Sequence, residues 1–146
     1  MPTRTARTAW NGGLMDGAGQ VELTSSKSGT FDVDFPKRAA DDPEGQTSPE
    51  ELVAAAHSSC FAMSLSNEVA KAGGTPHAIE ITAEVDVGPD DKPGGFGFTA
   101  IRLSGTVEVE NLDDAGFRTA LEAAEAGCPV SKALAAIDIT VDITRA

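Results

Sequence analysis

Ser48-Pro49-Glu50-Glu51-Leu52-Val53-Ala54-Ala55-Ala56-His57-Ser58-Ser59-Cys60-Phe61 is the stretch from which the fold is read. Ser48 can cap a helix, Pro49 suits the first helical position, and Glu51 completes a capping box. The helix so begun runs to Ala72, where Gly73-Gly74-Thr75-Pro76 stops it. Between these signals Leu52, Val53, Ala54, Ala55, Ala56, Cys60, Phe61, Met63, Leu65 and Val69 leave it apolar on most faces. A helix apolar nearly all round is buried nearly all round. One sheet face is too little cover, so a partner helix from a second subunit is expected against it.

The flanking segments alternate as strands do. Trp10, the turn at Asn11-Gly12-Gly13, Gly17 and Gly19 read as a strand, a turn and a second strand through Val21 and Leu23. A third spans Thr30 to Phe35, with Phe31, Val33 and Phe35 on one face, and Pro36 ends it. Residues 37–47 read as a polar loop. Beyond the helix, Ile79, Ile81, Ala83, Val85 and Val87 alternate, as do Ile101, Leu103, Val107 and Val109. Pro89-Asp90-Asp91-Lys92-Pro93-Gly94-Gly95 supplies the hairpin turn between them. Asp113 to Ala126 makes a second helix, Gly127 breaks it, and Cys128 to Leu134 a short third. Ile137, Ile139, Val141 and Ile143 form the last strand. The order β-β-β-α-β-β-α-α-β predicts one α+β domain over 1–146, with long antiparallel strands and few helices.

The 146 residues are long enough to bury a core without a disulfide or metal to hold it. Twenty-three acidic against eleven basic residues give a net charge of −12. Such a surface repels phosphate backbones and anionic lipid heads, which argues against nucleic-acid and membrane binding. Arg4 and Arg7 have no apolar segment behind them, and no window approaches the ~20 apolar residues of a membrane span. A cytoplasmic protein is expected. There thiols are kept reduced, so a cysteine pair points to catalysis or metal rather than a structural staple.

Cys60 and Cys128 are 68 positions apart, a spacing that matches no CxxC pair or zinc ribbon. Any pairing is therefore spatial, and the plain alternative is two small buried hydrophobes. Cys128 precedes Pro129 at a helix N-cap, where unpaired N–H groups favour a thiolate. His57, three residues before Cys60, is read first as a packed interface histidine and second as an aid to the thiolate. A zinc site of two Cys and two His is not expected, because His77 stands alone before a strand.

The helix segment Ser48 to Phe61, taken with Ala126-Gly127-Cys128-Pro129-Val130-Ser131, resembles the OsmC branch of the OsmC/Ohr family. The Trp10-Asn11-Gly12-Gly13 opening and the glycine-rich second strand sit in the expected order, so the resemblance spans essentially the whole chain. Ala56-His57 before Ser58-Ser59-Cys60 is closer to OsmC than to Ohr. The resemblance implies antiparallel sheets wrapped around long central helices in an intertwined homodimer. It implies a cysteine peroxidase acting on organic hydroperoxides and, less efficiently, on hydrogen peroxide, with no cofactor. Cys60 falls on the attacking position, Cys128 on the resolving position and Glu50 on the active-site glutamate. Arg38 is the match for the family's arginine, with Lys37 as the fallback.

The chemistry suits these residue types. A thiolate attacking an O–O bond releases an alcohol and becomes a sulfenic acid. A guanidinium lowers the thiol pKa, and a carboxylate holds the guanidinium in place. The second thiol then closes a disulfide, which an external dithiol of lipoyl or thioredoxin type reduces. Glu50 lies ten residues before Cys60 on one helix, roughly 15 Å along its axis. It can serve a Cys60 only across a dimer. Two other readings compete: a non-enzymatic dimeric module that binds an apolar ligand, and a thioesterase-like hydrolase.

Overall fold

In a computed structural model of the chain, the described residues are 2–90 and 94–146. The elements are β1 Arg7–Asn11, β2 Ala18–Glu22, β3 Thr30–Val33, α1 Phe35–Arg38, α2 Pro49–Lys71, β4 Thr75–Pro89, β5 Phe96–Glu110, α3 Asp114–Gly127, α4 Pro129–Ala133 and β6 Asp138–Arg145. They fall into two compact units, Met1–Pro49 and Glu50–Ala146. Mixed α and β elements and mainly antiparallel sheets make the fold α+β, as the alternation requires.

In the first unit, β1, β2 and β3 form an antiparallel meander in that order. Gly12 turns the first hairpin at φ +91°, a conformation that side chains resist. The third strand is shorter than its alternation suggests. Asp34 turns its carboxylate onto the Lys37 N–H at 2.6 Å and caps α1. Pro36 suits that first turn, so Phe35, read as the end of the strand, instead begins a helical turn that runs to Arg38 in the segment read as loop.

In the second unit, α2 covers the span its caps announce. Gly73 ends it at φ +88°, and the Gly74 N–H donates to the Val69 carbonyl. His57, Phe61, Leu65 and Val69, one per turn, form its buried stripe. Phe61, Leu65 and Val69 pack with Leu103, Val107, Phe117, Ala120, Ala124, Cys128 and Ile143. The helix is not buried all round within one chain. On its other side Met63 is 70 % exposed and lines an open groove with Ser66, Pro76 and Ile79.

β4 and β5 pair antiparallel along almost their full length. β4 begins at Thr75, so His77 lies within the strand, where its Nε2 stands 3.3 Å from Glu110 on β5. Residues 91–93 of the expected hairpin turn lie outside the described residues; beside them the Asp90 N–H donates to the Gly95 carbonyl. Gly105 is required by close approach, since a Cβ there would sit 2.0 Å from the Glu80 carbonyl oxygen. β6 departs from the antiparallel expectation and runs parallel to β5. The intervening α3 and α4 provide the crossover that parallel pairing needs. Among the described residues, no helix is long and apolar enough to cross a membrane.

Candidate active site

The two cysteines meet. Cys60 belongs to the fourth turn of α2, one residue before the buried Phe61, and is half-buried. Cys128 joins α3 to α4 as C-cap of the first and N-cap of the second, and it is fully buried. Its N–H closes α3 on the Ala124 carbonyl, and Pro129 starts α4 at once. α3 is held to α2 nearby, where the Ser64 hydroxyl donates to the Ala124 carbonyl at 3.1 Å. These constraints leave the sulfurs 3.3 Å apart, as free thiols in hydrogen-bond contact.

The two sulfurs are unequal. Burial pushes the Cys60 thiol up; a hydrogen bond from the Val130 N–H opposes this, and the adjacent Cys128 adds to the rise. Burial pushes Cys128 up as well. There, however, the Ser131 hydroxyl, the backbone N–H groups of Ser131 and Val130 in the first turn of α4, and the Cys60 thiol together outweigh it, and Cys128 titrates below an ordinary thiol. With both thiols protonated Cys128 donates to the Cys60 sulfur across the 3.3 Å contact, and the opposed pKa directions make Cys128 the more acidic of the two. When one proton leaves the pair it leaves Cys128, and the Cys60 thiol then donates to the Cys128 sulfur.

His57 departs from the expectation of an interface residue. It is fully buried within its own chain, and its Nε2 is 2.8 Å from the Ser131 hydroxyl oxygen. Burial lowers its pKa, so the imidazole is neutral near pH 7. Ser131 was not read from the sequence as a site residue. The signal is present in the spacing Cys128-x-x-Ser131, which places a hydroxyl in the first turn of α4 over its N-cap residue.

Arg38 is the last residue of α1 in the first unit. The fallback, Lys37, holds Glu44 at 2.5 Å. Glu50 stands in the first turn of α2. Because that helix is continuous to Lys71, Glu50 is roughly 15 Å along the axis from Cys60 of its own chain. Of the four residues nominated from sequence, the second unit therefore brings together Cys60 and Cys128 and holds Glu50 apart from them. Among the described residues, no cluster of three or more His, Cys, Asp or Glu is placed to hold a metal ion.

A family model described as OsmC-like protein matches residues 41–143. Peroxiredoxin OsmC of Escherichia coli (strain K12) is 39% identical over 133 residues, covering 91% of this chain and 90% of that protein. Organic hydroperoxide resistance protein-like 2 of Staphylococcus epidermidis (strain ATCC 12228 / FDA PCI 1200) is 30% identical over 146 residues, covering 95% and 98%. The crystal structure of the organic hydroperoxide resistance protein OhrB of Bacillus subtilis superposes with a TM-score of 0.71 at 26% identity, covering 95% of this chain and 97% of that one.

Proposed function

The chain belongs to the OsmC-like family, and from that premise we propose that it is a thiol peroxidase that reduces organic hydroperoxides and, less efficiently, hydrogen peroxide. The observation that carries the reading is the contact between the Cys60 and Cys128 sulfurs, 3.3 Å apart and 68 positions apart in the chain.

Cys60 is the attacking residue and Cys128 the resolving one. The choice rests on the family resemblance and on exposure, since a hydroperoxide can reach the half-buried Cys60 before the fully buried Cys128. The acidity of Cys128 serves its own steps, attack on the sulfenic acid and departure when the disulfide is reduced. Cys60 becomes nucleophilic by passing its proton to the adjacent thiolate. Its sulfur then takes the terminal peroxide oxygen, the O–O bond breaks, and the alkoxide leaves as an alcohol by taking the proton from Cys128, which is left a thiolate. Cys128, as thiolate, attacks the resulting sulfenic acid; an S–S bond forms, the S–O bond breaks, and the departing hydroxide takes a proton from solvent to leave as water. An external dithiol restores both thiols and is itself oxidised to a disulfide.

On the family resemblance, Arg38 is the guanidinium that favours the Cys60 thiolate, and Glu50 is the carboxylate that holds it. The ~15 Å between Glu50 and Cys60 along α2 then requires a homodimer in which Glu50 comes from the other subunit.

Substituting each cysteine tests the assignment. Cys60→Ser is expected to abolish consumption of an organic hydroperoxide in the presence of a dithiol. Cys128→Ser is expected to stop after one turnover, with Cys60 passing to sulfinic acid by mass spectrometry. Sustained turnover by Cys60→Ser would overturn the reading.

A further inference from the structure

His57 and Ser131 are both buried and lie 2.8 Å apart, yet the chemistry above leaves the imidazole without a task. We propose that His57 and Ser131 are positioning residues, a buried hydrogen-bond line that ends on the Cys128 sulfur and holds it as the leaving thiolate when the disulfide is reduced. The proposal rests on the peroxidase reading for its role in turnover.

Proton accounting sets the direction of the line. Ser131 is buried at the third position of α4, whose N-cap is the buried Cys128. A serine hydroxyl has one proton, which from that position is directed at the Cys128 sulfur and favours its thiolate. The hydroxyl oxygen is then free to accept, so the 2.8 Å contact is filled by an N–H on His57 Nε2. That places the single ring proton on Nε2 and leaves Nδ1 a bare acceptor. Nδ1 is buried and has no hydrogen-bond partner among the described residues, so nothing there competes for the proton. The imidazole stays neutral because burial disfavours its cation. A neutral donor stabilises the thiolate without protonating it. The titratable groups facing Cys128 from the described residues of this unit are Cys60 and, through Ser131, His57, both on α2.

The line acts when the external dithiol arrives. Its thiolate attacks the accessible Cys60 sulfur, forming a mixed disulfide, and the electron pair of the Cys60–Cys128 bond leaves on Cys128. Ser131 donates to that new anion, and a lower-pKa thiol leaves faster. The reductant's second thiolate then displaces Cys60 and closes the reductant's own disulfide.

The test is a pH titration of Cys128 by ultraviolet thiolate absorbance in a Cys60→Ser background, which leaves one thiol. Losing a hydrogen bond to a charged group is worth about tenfold in the ionisation equilibrium. Ser131→Ala is therefore expected to cut the thiolate fraction below the midpoint by about tenfold, and Ser131→Thr, which keeps the hydroxyl, to restore it. His57→Leu is expected to move the midpoint in the same direction as Ser131→Ala by less. His57→Gln, which keeps a donor near the Nε2 position, is expected to restore it, and this pair decides the matter if Ser131→Ala does not fold. Unchanged midpoints in folded Ser131→Ala and His57→Leu would overturn the proposal. So would equal shifts in His57→Leu and His57→Gln, which would mark His57 as packing only. The titration involves no peroxide, so a protein that titrates as expected but consumes no hydroperoxide refutes the peroxidase reading alone.

Discussion

Oxidation by one equivalent of an organic hydroperoxide should make the protein more stable, by an amount that follows from where the cysteines lie. The sulfurs already touch at 3.3 Å, so closing the bond asks little of the fold. Its effect falls on the unfolded chain, which acquires a loop of 68 residues between Cys60 and Cys128. In the chain-entropy treatment a loop of that length is worth about 4 kcal/mol at 25 °C. Loss of the thiolate's hydrogen bonds offsets part of this, by about 1–2 kcal/mol. The net gain of about 2–3 kcal/mol corresponds to a rise of about 5–10 °C in melting temperature for a chain of this size. The assay is calorimetry on reduced and once-oxidised protein at one protein concentration, with mass spectrometry to show that the bond lies within one chain. Cys128→Ala, treated identically, should not shift upward. An intramolecular bond accompanied by no rise, or by a fall, would refute the reasoning, because it would mean that bringing the sulfurs together strains the fold by as much as the loop contributes.

Two further outcomes are expected. Mixing Glu50→Ala with Cys60→Ser subunits should restore at most about half of the wild-type sites, since one of the two sites in a mixed dimer is intact; no recovery on subunit exchange would remove Glu50 from a shared site. His57 should make stability depend on acid: its folded pKa lies below the ordinary 6.5, so the unfolded chain binds the extra proton. Its contribution is whole above about pH 6.5 and is lost as pH falls from that value through the lower folded pKa, and His57→Gln should flatten that part of the denaturation profile.

The sequence by itself determined what is decided within a few residues. Ser48-Pro49 and Gly73 set the ends of α2, and alternation at Ile79–Val87 and Ile101–Val109 set the long hairpin, because caps and period-two burial act through neighbours. Even at that range Asp34 departs from the strand that alternation predicts. Its capping bond to Lys37 competes with strand alternation, and the cap won. The identity of the cysteine pair was legible too, together with the N-cap position of Cys128. Only the tertiary structure decided what depends on segments far apart. The parallel register of β6 follows from the path of α3 and α4, which no alternation in β6 itself records. The 3.3 Å contact of Cys60 with Cys128 depends on where α3 lies along α2. His57 looks from its helix like an interface residue, and its 2.8 Å bond to Ser131, 74 positions away, turns it inward. Propensity measures the cost of shaping one segment; the acidity of Cys128 is set by donors and burial that exist only once distant segments have packed.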